Sequence, residues 1–350
     1  LTMKLQVIAL AVAIVAVSAW NGDAEAQLLR IEGATGDIAQ GAELRITGTG
    51  FGVKDPVPPV LFDDFEGGTD GEAICSGGIY NNGSCDSPWD EWYGYGTSMV
   101  DQPEEIFTYT NALADEGRGM CAQVYHPVDA NLQYMIKNFT PTGKLYFNAD
   151  HKMYFPDFIS TQVKPMRFRT QSNLNRSIYA GRTMCDDDGM DSGGSSGYGL
   201  DWLSGPDLMS CLEGQVGGGW TKPDGWLNWM DWITWEWIIE EGTEGNADTY
   251  SKVVYNTEVK SEMSTLCALE SGGGSYDQLI VGGQASTMSS QACVGPSAIG
   301  CYTYWDHVYL DTTFQRIEIG NNPVYASCTK RVIQLPTGWS PTQVVASVNM

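Results

Sequence analysis

Apolar residues in this chain recur at every second position, in short runs, and after residue 26 no stretch shows the three-to-four spacing of a buried helix face. About a dozen runs carry the pattern: 43–49, 121–126, 131–139, 144–155, 166–171, 233–241, 249–259, 277–282, 307–314, 315–320, 331–335 and 343–348. They are rich in β-branched and aromatic residues, and Gly, Asn, Asp and Pro punctuate them. A period of two sends successive side chains to opposite faces of a sheet. Met166 and Phe168 are therefore expected inward, and Arg167 and Arg169 outward. Trp235, Trp237 and Ile239 share one face, and Glu236, Ile238 and Glu240 the other. The pattern confines the chain to an all-β class, an antiparallel sandwich or barrel, and speaks against an α/β fold.

The N-terminus has a different character. Lys4 precedes an apolar run over 7–17, followed by small-residue sites ending at Ala19 and Ala26. This is the three-part layout of a secretory signal, expected over 1–26. The run is shorter than the roughly 20 residues of a spanning helix, and no later segment is apolar enough to cross a bilayer. No membrane insertion is expected. The chain is then secreted, extracellular or held at the cell surface. The final run stops at residue 348, two residues before the sequence does, which reads as a strand cut short.

Nine cysteines in an exported chain read as disulfides. Proximity pairs Cys75 with Cys85, Cys185 with Cys211 and Cys293 with Cys301. Cys121, Cys267 and Cys328 remain, so at least one thiol is unpaired or joins a second chain, which opens a route to self-association. Absence of Cys-x-x-Cys and a total of three histidines speak against a zinc site. The formal charge of −24 repels nucleic acid and anionic membranes. It also repels an anionic polysaccharide, unless basic residues are gathered in one place.

Two stretches resemble known families. Gly48-x-Gly50-Phe51-Gly52 resembles the opening turn of immunoglobulin-like IPT/TIG domains. The segments 61–67 and 304–313, with Asp306, Val308, Tyr309, Leu310 and Asp311 in the second, resemble the first and last strands of concanavalin A-like lectin/glucanase sandwiches, the laminin-G-like jelly rolls. These resemblances imply an antiparallel jelly-roll β-sandwich over 61–325. They also imply a small Ig-like β domain formed by the two chain ends, 27–60 and 326–350.

The jelly-roll resemblance supplies templates for chemistry, and this chain departs from each. Laminarinase-like glycosidases carry Glu-x-Asp-x-Glu on one strand. Here Glu236 and Glu240 keep the outer positions, and Ile238 replaces the acid expected to tune the nucleophile. Carboxyl groups of a retaining pair stand roughly 5 Å apart, while Cα atoms four residues apart along a strand are roughly 13 Å apart. The two glutamates also suit a solvated strand face. Polysaccharide lyases of similar fold use an Arg-rich strand, a Gln-x-His strand and a Tyr-x-Lys-x-Gly-x-Tyr strand. Arg167, Arg169 and Gln171 echo the first, Lys164 stands two residues after Gln162 where His is expected, and the third is missing. Arg167 and Arg169 could clamp a carboxylate or sulfate, or pair with the chain's own acids.

Long Gly-rich loops at 67–100, 185–228 and 268–300 are the remaining functional candidates. Trp220, Trp226, Trp229 and Trp232 crowd one region, where an indole face can stack on a sugar ring or fill a small secondary core. Asp186, Asp187, Asp188 and Asp191 supply hard oxygen donors of the kind Ca2+ prefers, without EF-hand spacing. Three functions follow. The leading one is non-catalytic carbohydrate binding or adhesion on a polysaccharide or cell-surface glycan. The others are polysaccharide cleavage by a divergent site around Arg167, Arg169, Glu236 and Glu240, and a structural role in an extracellular assembly.

Overall fold

The structure is a computed structural model that describes residues 11–15, 29–77, 83–95, 107–116, 119–126, 132–154, 162–171, 173–178, 183–184, 231–246, 248–266, 274–286 and 302–350. In chain order its strands begin with β1 (Ala11–Val15), β2 (Arg30–Gly36), β3 (Glu43–Thr49), β4 (Leu61–Asp63), β5 (Cys75–Ser76), β6 (Gly83–Cys85), β7 (Glu91–Tyr95) and β8 (Phe107–Thr110). Next come β9 (Cys121–Tyr125), β10 (Leu132–Asn138), β11 (Lys144–Tyr154), β12 (Gln162–Thr170), β13 (Asn173–Ile178), β14 (Thr183–Met184) and β15 (Ile233–Glu240). The last are β16 (Thr249–Tyr255), β17 (Glu258–Leu266), β18 (Gln278–Ser286), β19 (Tyr302–Asp311), β20 (Arg316–Gly320), β21 (Arg331–Ser340) and β22 (Gln343–Ser347). Two short 3-10 turns are the only helical pieces among the described residues, and no helix there is long and apolar enough to cross a membrane. The fold is all-β, an antiparallel jelly-roll sandwich.

The chain divides into two compact units. The first takes 1–60, 256–258 and 311–350, and the second takes 61–255 and 259–310. The first unit is a sheet in the order β1-β20-β21-β22-β3-β2. Its β1 comes from the apolar run of the N-terminal segment and pairs antiparallel with β20. Return to this unit comes at 311 rather than 326, because β20 pairs with β21 over Ile317–Gly320. Alternation along β3 buries Leu44 and Ile46, which pack with Phe51, Ile317, Val344, Ala346 and Val348. The glycine motif has a backbone reason. Gly50 and Gly52 both have positive φ (79° and 68°), a region open to glycine, and between them the fully buried Phe51 turns into the core. Trp339 Nε1 donates to the Phe51 carbonyl at 3.0 Å. Strand β21 runs past 335 because a register shift between Pro336 and Gly338 accommodates the proline's missing N–H.

The second unit holds two sheets. The β12 sheet runs β13-β12-β18-β10-β7-β6-β5, with β14 beside β12. The β15 sheet runs β17-β16-β15-β11-β19-β9-β8, with β4 beside β19. Between them, alternate residues build an aromatic core. Phe168 of β12 lies 5.4 Å from Trp237 and 6.4 Å from Phe147, ring centre to ring centre. Trp235 stacks with Trp305 at 6.2 Å. Two histidines are buried in the same layer. His126 Nδ1 lies 2.9 Å from Gln133 Oε1, and the His151 ring is 4.2 Å from Trp305. Burial holds His126 down at about 4 and His151 at about 3, so both are neutral at neutral pH.

The run read as one strand over 249–259 is a hairpin. Asn256 (φ 47°) and Thr257 (φ 71°) form a two-residue turn of the kind whose twist suits antiparallel strands. Of the cysteine pairs, Cys75–Cys85 is formed and joins β5 to β6. Cys121 and Cys328 are buried. Cys185, Cys211, Cys293 and Cys301 lie outside the described residues.

Candidate functional site

Side chains that alternate with the aromatic core form the outer face of the β12 sheet. Register places them in rows. Arg167 faces Ile280, Ile280 faces Ile136, and Ile136 faces Glu91. One row along, Arg169 faces Gln278, which faces Asn138. On the other side Tyr134 stands between Gly282 and Tyr93. Ile136, Ile280, Tyr134 and Tyr93 form an apolar floor. Long side chains from distant strands converge over it. The Arg167 guanidinium lies 5.7 Å from the centre of the Tyr134 ring, two strands away. The Arg169 guanidinium lies 5.2 Å from the centre of the Tyr93 ring, three strands away. Such contacts are cation–π geometry, in which the ring face attracts the guanidinium.

A polar relay fixes one of the arginines. Arg169 Nε donates to Gln278 Oε1, Gln278 Nε2 donates to Asn138 Oδ1 at 2.6 Å, and Asn138 Nδ2 donates to Glu91 Oε1 at 3.3 Å. Four strands are thus tied by amide side chains that have few other conformations open to them. Burial lowers the Arg169 pKa, Tyr134 and Tyr93 raise it, Arg167 lowers it, and Glu91 raises it. An arginine remains a cation under such a shift. The two guanidiniums are close enough to repel, so two basic residues of this acidic chain are gathered on this face. Gly282 shapes the floor. A Cβ there would lie 2.1 Å from the Gln133 carbonyl oxygen, so the close approach of β10 to β18 beside Tyr134 requires glycine.

Placement of the acid candidates is different. Trp235 and Trp237 point into the core, as parity requires, so Glu236 and Glu240 lie on the outer face of the β15 sheet. The sandwich core therefore separates them from Arg167 and Arg169, and the structure does not assemble the four residues into one site. Glu236 is buried, opposite Asn148 and Val254. Glu240 sits 3.9 Å from Lys144 Nζ. Ile238 is buried between them, where the glycosidase template has its acid.

Trp232 is half-buried immediately ahead of β15. Trp220, Trp226, Trp229, Asp186, Asp187, Asp188 and Asp191 lie outside the described residues. Among the described residues no group of three or more His, Cys, Asp or Glu could hold a metal ion. The Lys54 ammonium occupies the Asp311 carboxylate in a buried ion pair, with Thr313 as a further donor to Asp311. Asp306 lies 2.8 Å from His307 Nδ1. Gln171 donates its backbone N–H to Asp277 Oδ1, and the side chains of Gln162 and Lys164 are not among those described.

Sequence reading found the arginines and missed Tyr134, Tyr93, Gln278 and Asn138. A signal existed for Tyr134, which alternates with Met135 within 131–139. Nothing local places β10 two strands from β12.

No known protein family and no curated protein sequence matches the chain. Solved structures of similar fold do. Alginate lyase Aly36B is 12% identical with a TM-score of 0.41, over 55% of this chain and 80% of that one. An endo-β-1,4-glucuronan lyase from the fungus Trichoderma reesei is 10% identical with a TM-score of 0.40, over 69% and 96%. A marine PL-14 alginate lyase from Aplysia kurodai is 10% identical with a TM-score of 0.38, over 65% and 91%. At this distance the likeness extends to a β-sandwich of carbohydrate-active proteins and says nothing of substrate or chemistry here.

Proposed function

We propose that the chain is an extracellular protein that recognises an acidic, uronate-bearing polysaccharide on the outer face of its β12 sheet. The observation that carries this reading is the convergence of Arg167 and Arg169 over Tyr134 and Tyr93. A guanidinium offers paired N–H donors that match a carboxylate. Phenol rings offer flat apolar surface with a polar edge. With a formal charge of −24, the chain as a whole repels polyanions, so a uronate chain needs locally gathered cations, and Arg167 and Arg169 supply two on one face. The leader-like N-terminus and the Cys75–Cys85 disulfide support action outside the cell. The end-formed unit is read as an Ig-type module without a part in this recognition.

A second reading goes further, to cleavage by β-elimination, and the phenols against the guanidiniums favour it. An arginine on the uronate carboxylate stabilises the charge that develops when the C5 proton leaves. A tyrosine phenolate takes that proton, the C4–O bond breaks, a C4–C5 double bond forms, and the leaving oxygen is protonated. Tyr134 and Tyr93 are the residues available for these proton transfers.

One incubation separates the readings. Purified protein is mixed with alginate, polygalacturonate and a neutral glucan, and both bound protein and new unsaturated ends are measured. Binding to the uronate chains alone, without new ends, establishes recognition. New ends that vanish in Tyr134→Phe or Tyr93→Phe establish the lyase. Each of R167A and R169A is expected to weaken uronate binding by roughly 10- to 100-fold, the range for loss of a charged hydrogen bond. Equal binding to neutral and acidic chains by both variants and the parent would overturn the proposal.

A further inference from the structure

The opposite side of the sandwich carries an aromatic surface that the arginine face does not explain. On β9, Ala122 and Val124 are fully buried, so Gln123 and Tyr125 alternate outward. On β19, Thr303 and Trp305 point into the core, so Tyr302 and Tyr304 alternate outward. Register sets Tyr125 directly opposite Tyr302, and Gln123 between Thr108 and Tyr304. The Tyr125 and Tyr302 rings are 5.4 Å apart and tilted by 40°, and Tyr302 and Tyr304 are 6.1 Å apart at 32°. Tyr125, Tyr302 and Gln123 are half-buried, so the Tyr125 and Tyr302 rings keep part of their surface open, while Tyr304 is buried and packs behind Tyr302.

Charge is cancelled around these rings. The Lys152 ammonium is bound by both carboxylate oxygens of Glu116, at 2.5 and 2.7 Å. Burial raises the Tyr304 phenol above its ordinary range, and Tyr302, Cys121, Tyr154 and the Glu116 carboxylate raise it further. Burial raises the Tyr302 phenol above its ordinary range, and Tyr125 raises it further. The Tyr302 hydroxyl therefore stays protonated and able to donate. What the surface presents is two adjoining phenol rings and an amide, with no uncompensated cation among the residues named.

We infer that Tyr125 and Tyr302, backed by the buried Tyr304 and flanked by Gln123 and Thr108, form a second sugar-binding platform, which takes a neutral polysaccharide with equatorially substituted pyranose rings. Such rings expose flat C–H faces that stack on phenols, while their edge hydroxyls reach amides and phenol oxygens. A polyanion is disfavoured here, because the one nearby cation is already paired and the chain as a whole is acidic. The platform is independent of the uronate reading. It lies on the outer face of the other sheet, so two chemically distinct chains could be held at once, and two weak sites on one body gain avidity.

The test uses the full chain with soluble xylan and insoluble cellulose as neutral probes and polygalacturonate as the acidic one. The double variant Y125A/Y302A is expected to bind the neutral probes at least about tenfold more weakly and to bind polygalacturonate as before. R167A/R169A is expected to show the reverse. Y302F, which keeps the ring, should retain neutral binding, and thermal unfolding of every variant confirms that the fold survives. Failure of both neutral probes to bind the parent, or undiminished binding by Y125A/Y302A, overturns the inference. Loss of self-association or of a protein contact in the double variant, with sugar binding intact, overturns it in favour of a protein interface.

Discussion

The two outer faces of the sandwich arise from the same alternation and end with opposite chemistry. Outward positions of the β12 sheet hold Arg167, Arg169, Gln278 and Tyr134 above an apolar floor. Outward positions of the β15 sheet hold Glu236, Asp150 and paired lysines. In between, the core is aromatic, so neither face can borrow charge from the other. Alternation therefore fixes that a strand has a second face turned away from the shared core. Which residue types meet on that face depends on which strands the topology makes neighbours.

Breaking the shared core should have the largest effect, since both faces depend on it. Phe168 is fully buried and touches Phe147 and Trp237 across the layer. Phe168→Ala is expected to cost about 3–5 kcal/mol of stability, read from the midpoint of denaturant unfolding, and to abolish binding on either face. A loss below about 1 kcal/mol would mean that the two faces are not backed by one packed layer.

The shared layer also carries a pH signature. His126 and His151 are neutral in the folded chain, at about 4 and about 3, and regain an ordinary value near 6.5 when unfolded. Below 6.5 the unfolded chain binds more protons, so stability falls as pH drops from 6.5 towards 4. Glu241 acts the other way. Burial holds it up at about 7, so its folded form binds more protons than the unfolded chain, and its contribution to stability is lost as pH rises from 4.5 to 7. Unfolding temperature followed against pH should show a shallower acid limb in His126→Gln. In Glu241→Gln the stability lost between 4.5 and 7 should be smaller than in the parent.

Smaller effects sharpen the contrast between faces. Raising salt from low to physiological strength should weaken uronate binding at the arginine face and leave neutral-sugar binding unchanged, because only the former depends on charge. Glu236→Gln should change uronate binding less than threefold, measured by titration calorimetry, since the core separates it from both arginines. A large loss in that variant would restore the single site that the sequence suggested.

Much of this was legible from residue order. Parity placed Trp235 and Trp237 inside and Arg167 and Arg169 outside, because a strand has two faces whatever its neighbours. Proximity gave Cys75–Cys85. The turn at Asn256 and Thr257 was not legible, since it lacks the glycine that usually marks a two-residue hairpin. Strand β7 was hidden in a stretch read as a loop, where Gly94 interrupts the alternation of Trp92, Tyr93 and Tyr95. The separation of Glu236 from the arginines was also out of reach. It depends on β12 joining β18 and β10 while β15 joins β11 and β16, pairings between residues distant in the chain. The same limit hid Tyr134 and Gln278 as neighbours of the arginines.

The most direct test of the central claim is a calorimetric titration of a short polygalacturonate oligomer into the parent protein and into Arg169→Ala. Saturable binding to the parent, weakened roughly 10- to 100-fold in the variant at unchanged unfolding temperature, is the predicted result. Identical binding curves for the two proteins would contradict it, and would place the uronate somewhere other than the face where Arg167 and Arg169 converge.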